Sequence, residues 1–327
     1  MRRLVLALLL TATPLLAAAP RVEPNVVSPR GGTEVRLRGI AVCSGCPVMV
    51  IVDGTAHAAV AEDATTIRFT APAHEPGAAR LAVVTDGYRD AGSLFYDFER
   101  EELMIPIAFD AKPGAYGAQW VTDILLDNSG DEPIPLGPYV CPSLGSLFAC
   151  SIMPLTIAPH TTLRYRGQGD EWSPARTFVP PVEMLGKFTI SVRVRDASRT
   201  PEGGGTMIPV VRRDDWRQVP FSLIHVPTDP QYRAWLRVYT YASKVMVRVY
   251  SESGEELDAR MFRNYFPTDS FHFAVDNWAD VLSSPRVRAE KYVRVSIEPE
   301  FYHYGLTWAM LTLTDNATQQ VLVYAPQ

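Results

Sequence analysis

The sequence predicts an all-β chain built as three tandem β-sandwich domains behind a cleaved leader. Three observations predict it. Nearly every periodic segment alternates apolar and polar residues with period two, or is a short apolar run of strand length. Turn-forming Gly, Pro, Asn and Asp punctuate these segments roughly every 8–15 residues, the spacing of short strands in a sandwich. Helical periodicity is nearly missing: beyond the leader only Asn277 to Leu282 reads as a short helical turn, which disfavours folds that need βαβ crossovers.

The leader occupies residues 1–19. Arg2 and Arg3 make a positive start, Leu4 to Leu16 an apolar run, and Ala17, Ala18 and Ala19 the small residues that signal peptidase accepts. The apolar run is short for a membrane span, which takes about 20 apolar residues. No later stretch reaches that length, so the mature chain is expected to hold no integral membrane segment and to work outside the cytoplasm, secreted, periplasmic or at the cell surface. The 327 residues carry 31 Lys+Arg against 36 Asp+Glu, a formal net charge of −5. Loss of Arg2 and Arg3 makes it more negative still. An acidic chain repels phosphate backbones, so nucleic acid is excluded as a partner.

The first domain, residues 20–99, opens with a turn thrown into a strand. Gly31 and Gly32 can adopt backbone angles closed to other residues. Val35 and Leu37 then face one side, and Glu34, Arg36 and Arg38 the other. Further strands are expected at 34–38, 47–52, 66–70, 80–85 and 94–98, with turns at Asp53-Gly54 and Asp86-Gly87. The run from Glu23 through Ser28, Pro29, Gly31, Gly32 and Thr33 to Gly39 resembles the opening of an IPT/TIG domain. The likeness continues through Val52, Asp53 and Gly54, Thr66 to Pro72, Pro76 and Gly77, Leu81 to Thr85, and Phe95 to Phe98. The resemblance covers residues 22–98 and implies an immunoglobulin-like sandwich of the kind found in many secreted bacterial proteins. Members serve as spacers, partner-binding modules or accessory domains beside enzymes. The transcription-factor use of the family needs basic loops, which this chain lacks. The Cys43–Cys46 insertion departs from the pattern.

Two further sandwiches are expected at 103–211 and 219–327, read as a duplication of one type. Val219, Pro220, Phe221 and Ser222 mirror Ile105, Pro106, Ile107 and Ala108, and the strand of Trp235 to Tyr239 stands where that of Trp120 stood. Each half closes on a strand, a turn and a strand: Lys187 to Arg195, Gly203 to Gly205 and Thr206 to Val211 in the first, Trp308 to Thr314, Asp315-Asn316 and Val321 to Pro326 in the second.

The chain holds four cysteines in two close pairs, Cys43 with Cys46 and Cys141 with Cys150. An even count at close spacing in an oxidising compartment favours disulfides 43–46 and 141–150. A redox-active Cys-x-x-Cys and a four-thiolate zinc site are the alternatives. A redox pair normally opens a helix, and Pro47 to Val52 reads as strand.

No catalytic set emerges. His57, His74, His160, His225, His272 and His303 show no metal-ligand spacing, and no Gly-x-Ser-x-Gly elbow or phosphate loop is present. Glu255-Glu256 and Asp214-Asp215 read as solvated turns. Asp127, Asn128 and Asp131 cluster oxygen donors as calcium prefers, and the same residues suit a plain hairpin turn. Asn316 and Thr318 fit a glycosylation sequon or a turn. Trp120, Trp235 and Trp308 sit on expected strands and are assigned to the core. Trp172, Trp216 and Trp278 fall in loops, where an aromatic can stack on a sugar or anchor a partner. The expectation is a non-enzymatic structural or binding protein without a cofactor, engaging a protein, envelope or polysaccharide partner through sandwich loops. An accessory carbohydrate-binding protein is the alternative, and a secreted hydrolase ranks below both.

Overall fold

The computed structural model describes residues 20–43, 46–85, 87–136, 138–140, 151–152, 155–165, 175–263, 284–300 and 305–326. The leader, the Cys141–Cys150 loop, Trp172, Trp278, His272, His303 and the 277–282 turn lie outside them. The described chain is nearly all β and divides into two compact units, Met1–Glu99 and Arg100–Gln327.

The first unit contains β1 (Arg21–Glu23), β2 (Val26–Val27), β3 (Glu34–Arg38), β4 (Pro47–Val52), β5 (Thr55–Ala61), β6 (Thr66–Thr70), β7 (Gly77–Val84) and β8 (Tyr88–Tyr96). Their order is β1-β3-β6-β5-β4-β7-β8-β2. The run β1-β3-β6-β5 and the run β4-β7-β8 reproduce the two layers of an immunoglobulin-type sandwich, joined where β5 pairs with both β6 and β4. Alternation in β3 behaves as its sequence demands. Val35 and Leu37 are fully buried among Val50, Ile67, Phe69, Leu81 and Leu94. On the opposite face Arg36 and Arg68 each pair with both Glu34 and Glu62, at 2.7 to 3.2 Å. The strands expected at 34–38, 47–52 and 66–70 have those bounds. β5, rich in alanine and poor in large apolar side chains, gave no periodic signal. Gly31 and Gly32 take φ of 77° and 83°, and a Cβ on Gly31 would stand 2.5 Å from the Ala73 nitrogen.

In the second unit the earlier half contains β9 (Leu103–Ile105), β10 (Lys112–Pro113), β11 (Gln119–Asn128), β12 (Ile134–Leu136), β13 (Pro138–Val140), β14 (Ser151–Ile152), β15 (Leu155–Ile157), β16 (Thr161–Tyr165), β17 (Arg176–Phe178), β18 (Phe188–Asp196) and β19 (Thr206–Met207). The later half contains β20 (Phe221–Pro227), β21 (Tyr232–Thr240), β22 (Lys244–Ser251), β23 (Glu256–Arg263), a one-turn helix α1 (Pro285–Arg288), β24 (Tyr292–Pro299), β25 (Thr307–Asp315) and β26 (Val321–Tyr324).

The two halves share one topology. A four-stranded sheet runs β9-β17-β13-β14 in the first and β20-β24-β22-β23 in the second. Facing it, β11-β18-β19 corresponds to β21-β25-β26. The earlier half adds β10 and β16 against β11, and a separate β12–β15 ribbon. The likeness reaches single hydrogen bonds. Ala197 N–H donates to the Gln119 carbonyl at 2.7 Å, and Asn316 N–H to the Gln231 carbonyl at 2.8 Å. Thr200 N–H closes on Asp196 O at 2.8 Å, as Gln319 N–H does on Asp315 O at 2.9 Å. Register therefore aligns Trp120, opposite Asp196, with Tyr232, opposite Asp315, and not with Trp235. The Ile105/Val219 motif is likewise offset, because its pairing strand precedes Pro106 in one half and follows Pro220 in the other.

The later sandwich buries Leu236, Val238, Val245, Val247, Val249, Val293, Val295, Ile297, Leu311 and Leu313 between its sheets. Burying one such side chain contributes about 1.5–3 kcal/mol.

Candidate functional site

The candidate site is built on β21. Ala234, Leu236 and Val238 face the core of the later sandwich. The period-two rule then turns Arg233, Trp235, Arg237 and Tyr239 outward. Part of this outward face is covered by the segment that leads from β9 to β11. The Tyr239 hydroxyl, fully buried, donates to the Pro106 carbonyl. The Arg237 guanidinium carbon stands 5.9 Å from the centre of the Phe109 ring and 5.8 Å from that of Trp235. Farther along, Arg233 stands 5.0 Å over the Tyr116 ring. Each such cation–π contact is worth about 0.5–2 kcal/mol, more when desolvated.

Tyr116 is strained, and its neighbours anchor it. It sits in the 3₁₀ turn Ala115–Gly117 at φ 55° and ψ 32°, a left-handed conformation unusual for a tyrosine. Gly114 lets the chain cross the Trp120 indole, since a Cβ there would lie 2.3 Å from Nε1. Arg199 Nη2 donates to the Tyr116 carbonyl at 2.6 Å, and Arg199 is itself paired with Asp196. Burial alone would raise Asp196. The Gln119 N–H, the Ser198 hydroxyl and N–H, and Arg199 outweigh it and hold the carboxyl at about 2.

A cleft of about 290 Å³ opens between this turn and the start of β21. Tyr116, Asp229, Tyr232, Arg233, Trp235, Arg288 and Asn316 line it. Tyr116 is 65% exposed and Trp235 36%. Arg233 donates to Asn316 Oδ1 at 2.8 Å and to Gln319 Oε1 at 2.7 Å, so the turn after β25 fixes its direction. Asp229 Oδ1 accepts from Gln231 N–H at 2.8 Å. The arrangement offers flat apolar rings beside directed polar donors.

The assignment of three strand tryptophans to the core is corrected in part. Trp308 is core, at 3% exposure, Trp120 is half-buried, and Trp235 lies on the outward face. The two arginines that share its face rule out an apolar core there. Trp216 is half-buried beyond the turn Arg213–Asp215, its ring 5.4 Å from that of Tyr241, and it does not line the cleft. Nearby, burial raises the Glu102 carboxyl, opposed by Arg213 and reinforced by Glu101. Sequence reasoning missed Tyr116; its signal was a tyrosine set between Gly114 and Gly117 in an exposed turn.

Cys43 and Cys46 form a disulfide with Cα atoms 5.5 Å apart, and Pro47 opens a strand directly after it. That pairing removes both thiols from the four-thiolate zinc alternative. Cys141 and Cys150 lie outside the described residues. The calcium candidates do not converge. Asn128 is buried, its amide nitrogen donating to the carbonyls of Glu132, Ile157 and Ala158, and its Oδ1 accepts from Gly130 N–H. Asp127 accepts from the Thr162 hydroxyl at 2.6 Å, and Asp131 meets His160 at 2.9 Å. Among the described residues no three His, Cys, Asp or Glu side chains gather as a metal would require. His74 meets Asp53 at 3.0 Å and stacks on Tyr96, and His225 stacks on Tyr292 at 3.8 Å. Glu255 pairs with Arg286 and Glu256 with Arg248. Among the described residues no helix is long and apolar enough to cross a membrane.

No family model and no curated protein matches the chain. Among solved structures, it is similar to the SGBP-B of the mixed-linkage glucan utilization locus of Bacteroides ovatus, solved in complex with a mixed-linkage heptasaccharide. The identity is 12%, the match covers 86% of this chain and 71% of that chain, and the TM-score is 0.20, too low to carry an argument about function.

Proposed function

We propose that this is a non-catalytic extracytoplasmic binding protein whose cleft at the 115–117 turn takes a segment of a polysaccharide. The observation that carries the reading is the pair of exposed rings, Tyr116 and Trp235, set around a cleft with Arg233 and Asn316 between them. Sugar rings present apolar C–H faces and a rim of hydroxyls, and this surface offers a ring for the face and directed polar groups for the rim. Tyr116 keeps a conformation that costs about 1–3 kcal/mol in a non-glycine residue, and strain of that kind concentrates at functional sites. The disulfide at Cys43 and Cys46 favours an oxidising compartment. The immunoglobulin-type strand order of the first unit supports its reading as an IPT/TIG-like spacer or module that presents the second unit.

The test is a glycan array with the whole mature protein, paired with a reducing-sugar assay on whichever polysaccharide binds. The reading expects retention of a defined glycan, loss of retention in Tyr116→Ala, and no release of reducing ends. Release of reducing ends would return the hydrolase alternative. A silent array with a specific protein captured from the envelope would favour a protein partner.

A further inference from the structure

Two arginines, Arg233 and Arg288, line the cleft. Nine arginines elsewhere, Arg36, Arg38, Arg68, Arg80, Arg164, Arg195, Arg199, Arg248 and Arg286, pair with a carboxylate within 3.2 Å, while others are held by different groups, as Arg193 is by the Gly203 carbonyl and Arg294 by the Tyr250 ring. The two at the cleft pair with no carboxylate among the described residues. Arg233 is satisfied by two neutral amide oxygens and a ring. Arg237, which does not itself line the cleft and is only 7% exposed, has one hydroxyl partner, Thr312 Oγ1 at 3.1 Å, and two aromatic rings, one of them the Trp235 ring of the cleft wall. Arg288 lines the cleft and meets no carboxylate among the described residues. The lone carboxylate of the lining, Asp229, is engaged by the Gln231 N–H.

A buried guanidinium without a counter-ion is costly, and it persists where something offsets it. Arg237 lies over the Trp235 ring, so its charge biases the wall on which a ligand would stack. Of the five N–H donors of Arg233, two are used on Asn316 and Gln319, and the rest remain for a ligand. A planar carboxylate is the partner that a guanidinium fork fits best.

Resting on the binding reading above, we propose that the cleft selects a carboxylated polysaccharide, one whose uronic-acid residues place a carboxylate at Arg233 and Arg288 while a sugar face stacks on Trp235. In an acidic protein of net charge −5, selection of an acidic polymer demands a local site of this kind, because the remaining surface repels it.

The test uses the whole mature protein and three polymers of matched length: polygalacturonate, a neutral β-glucan, and dextran sulfate as a charge control. Calorimetry at 50 and 300 mM NaCl reads the affinity. The expected result is binding to polygalacturonate at least tenfold tighter than to the β-glucan, weakening with salt. Arg233→Gln should weaken it about tenfold or more, the exposed Arg288→Gln about threefold, and Trp235→Ala tenfold or more. Arg288→Gln guards against a folding defect at the Asn316 turn, since its side chain holds no other element. Equal or tighter binding of the β-glucan would overturn the acidic preference and leave the binding reading intact. Dextran sulfate bound as tightly as polygalacturonate and unaffected by Trp235→Ala would also overturn it. Failure of all three polymers to bind would overturn the acidic preference, while the binding reading stands or falls on the glycan array.

Discussion

Arg233 of β21 stands 5.0 Å over the ring of Tyr116, a residue from the other half of the same unit. The contact joins the first turn of one sandwich to the outward face of its duplicate. Thr206 Oγ1 extends the joint by donating to the Val321 carbonyl at 2.6 Å, and Arg217 and Thr307 form a two-bond bridge at 2.8 Å each. The cleft exists because these halves are held together. A ligand wall on one half and a ring from the other meet only in the assembled unit.

Trp235→Ala should weaken glycan binding tenfold or more and lower unfolding free energy by about 1–3 kcal/mol, since the side chain is 36% exposed and the rest of it is covered. Trp216→Ala, remote from the cleft, should leave binding unchanged. Calorimetry on both variants, with urea unfolding as the control, checks this. Equal losses in the two would move the site away from β21.

Tyr239→Phe removes the only hydroxyl that reaches the Pro106 carbonyl from β21. A buried carbonyl left without its donor costs about 1–3 kcal/mol. The urea midpoint of the second unit should fall accordingly, and hydrogen exchange should rise in the segment 106–117. An unchanged midpoint would show that this contact does not fasten the halves.

Asp196 supplies a pH dependence of definite sign. Its folded value of about 2 lies below the unfolded value of 3.8, so its contribution is present above about pH 4 and is lost as the pH falls from 4 toward 2. The carboxylate is 1% exposed, and the shift corresponds to about 2 kcal/mol. Wild type should therefore lose its advantage over Asp196→Asn across that interval. A gap between the two that is constant from pH 6 to pH 2 would refute the assignment.

Gly31→Ala and Gly54→Ala separate two costs of the same conformation. Both glycines have positive φ, 77° and 85°, but only at Gly31 would a Cβ collide with backbone. Gly54→Ala should cost about 1 kcal/mol, and Gly31→Ala clearly more. Hydrogen exchange in β3 and β6 reports the loss, with β21 and β25 unaffected.

Much of the fold was legible because a half-buried strand writes its burial into alternate residues. The sequence places β3, β4 and β6 to the residue, and the likeness of the two later halves is legible in their closing strand, turn and strand. The failures share a cause. Trp235 is assigned to the core by its place on an expected strand, yet Arg233 and Arg237 on its face already mark that face as outward. Tyr116 left no periodic trace, since a turn is specified by backbone angles and distant anchors such as Arg199. The Ile105/Val219 match looked like a repeat and was an offset, because likeness in four residues does not fix register, whereas the Gln119 and Gln231 carbonyls do. Convergence of Asp127, Asn128 and Asp131 could not be read from spacing, since the Asn128 amide turns inward to cap three carbonyls.

The most direct measurement is hydrogen–deuterium exchange of the whole mature protein with and without a bound polysaccharide. Protection is expected only in peptides spanning 112–120 and 228–237, with a smaller effect at 315–320, where Asn316 and Gln319 hold Arg233. Protection centred instead on Trp216 and Tyr241, or on the first unit, with these peptides unchanged, would contradict this expectation.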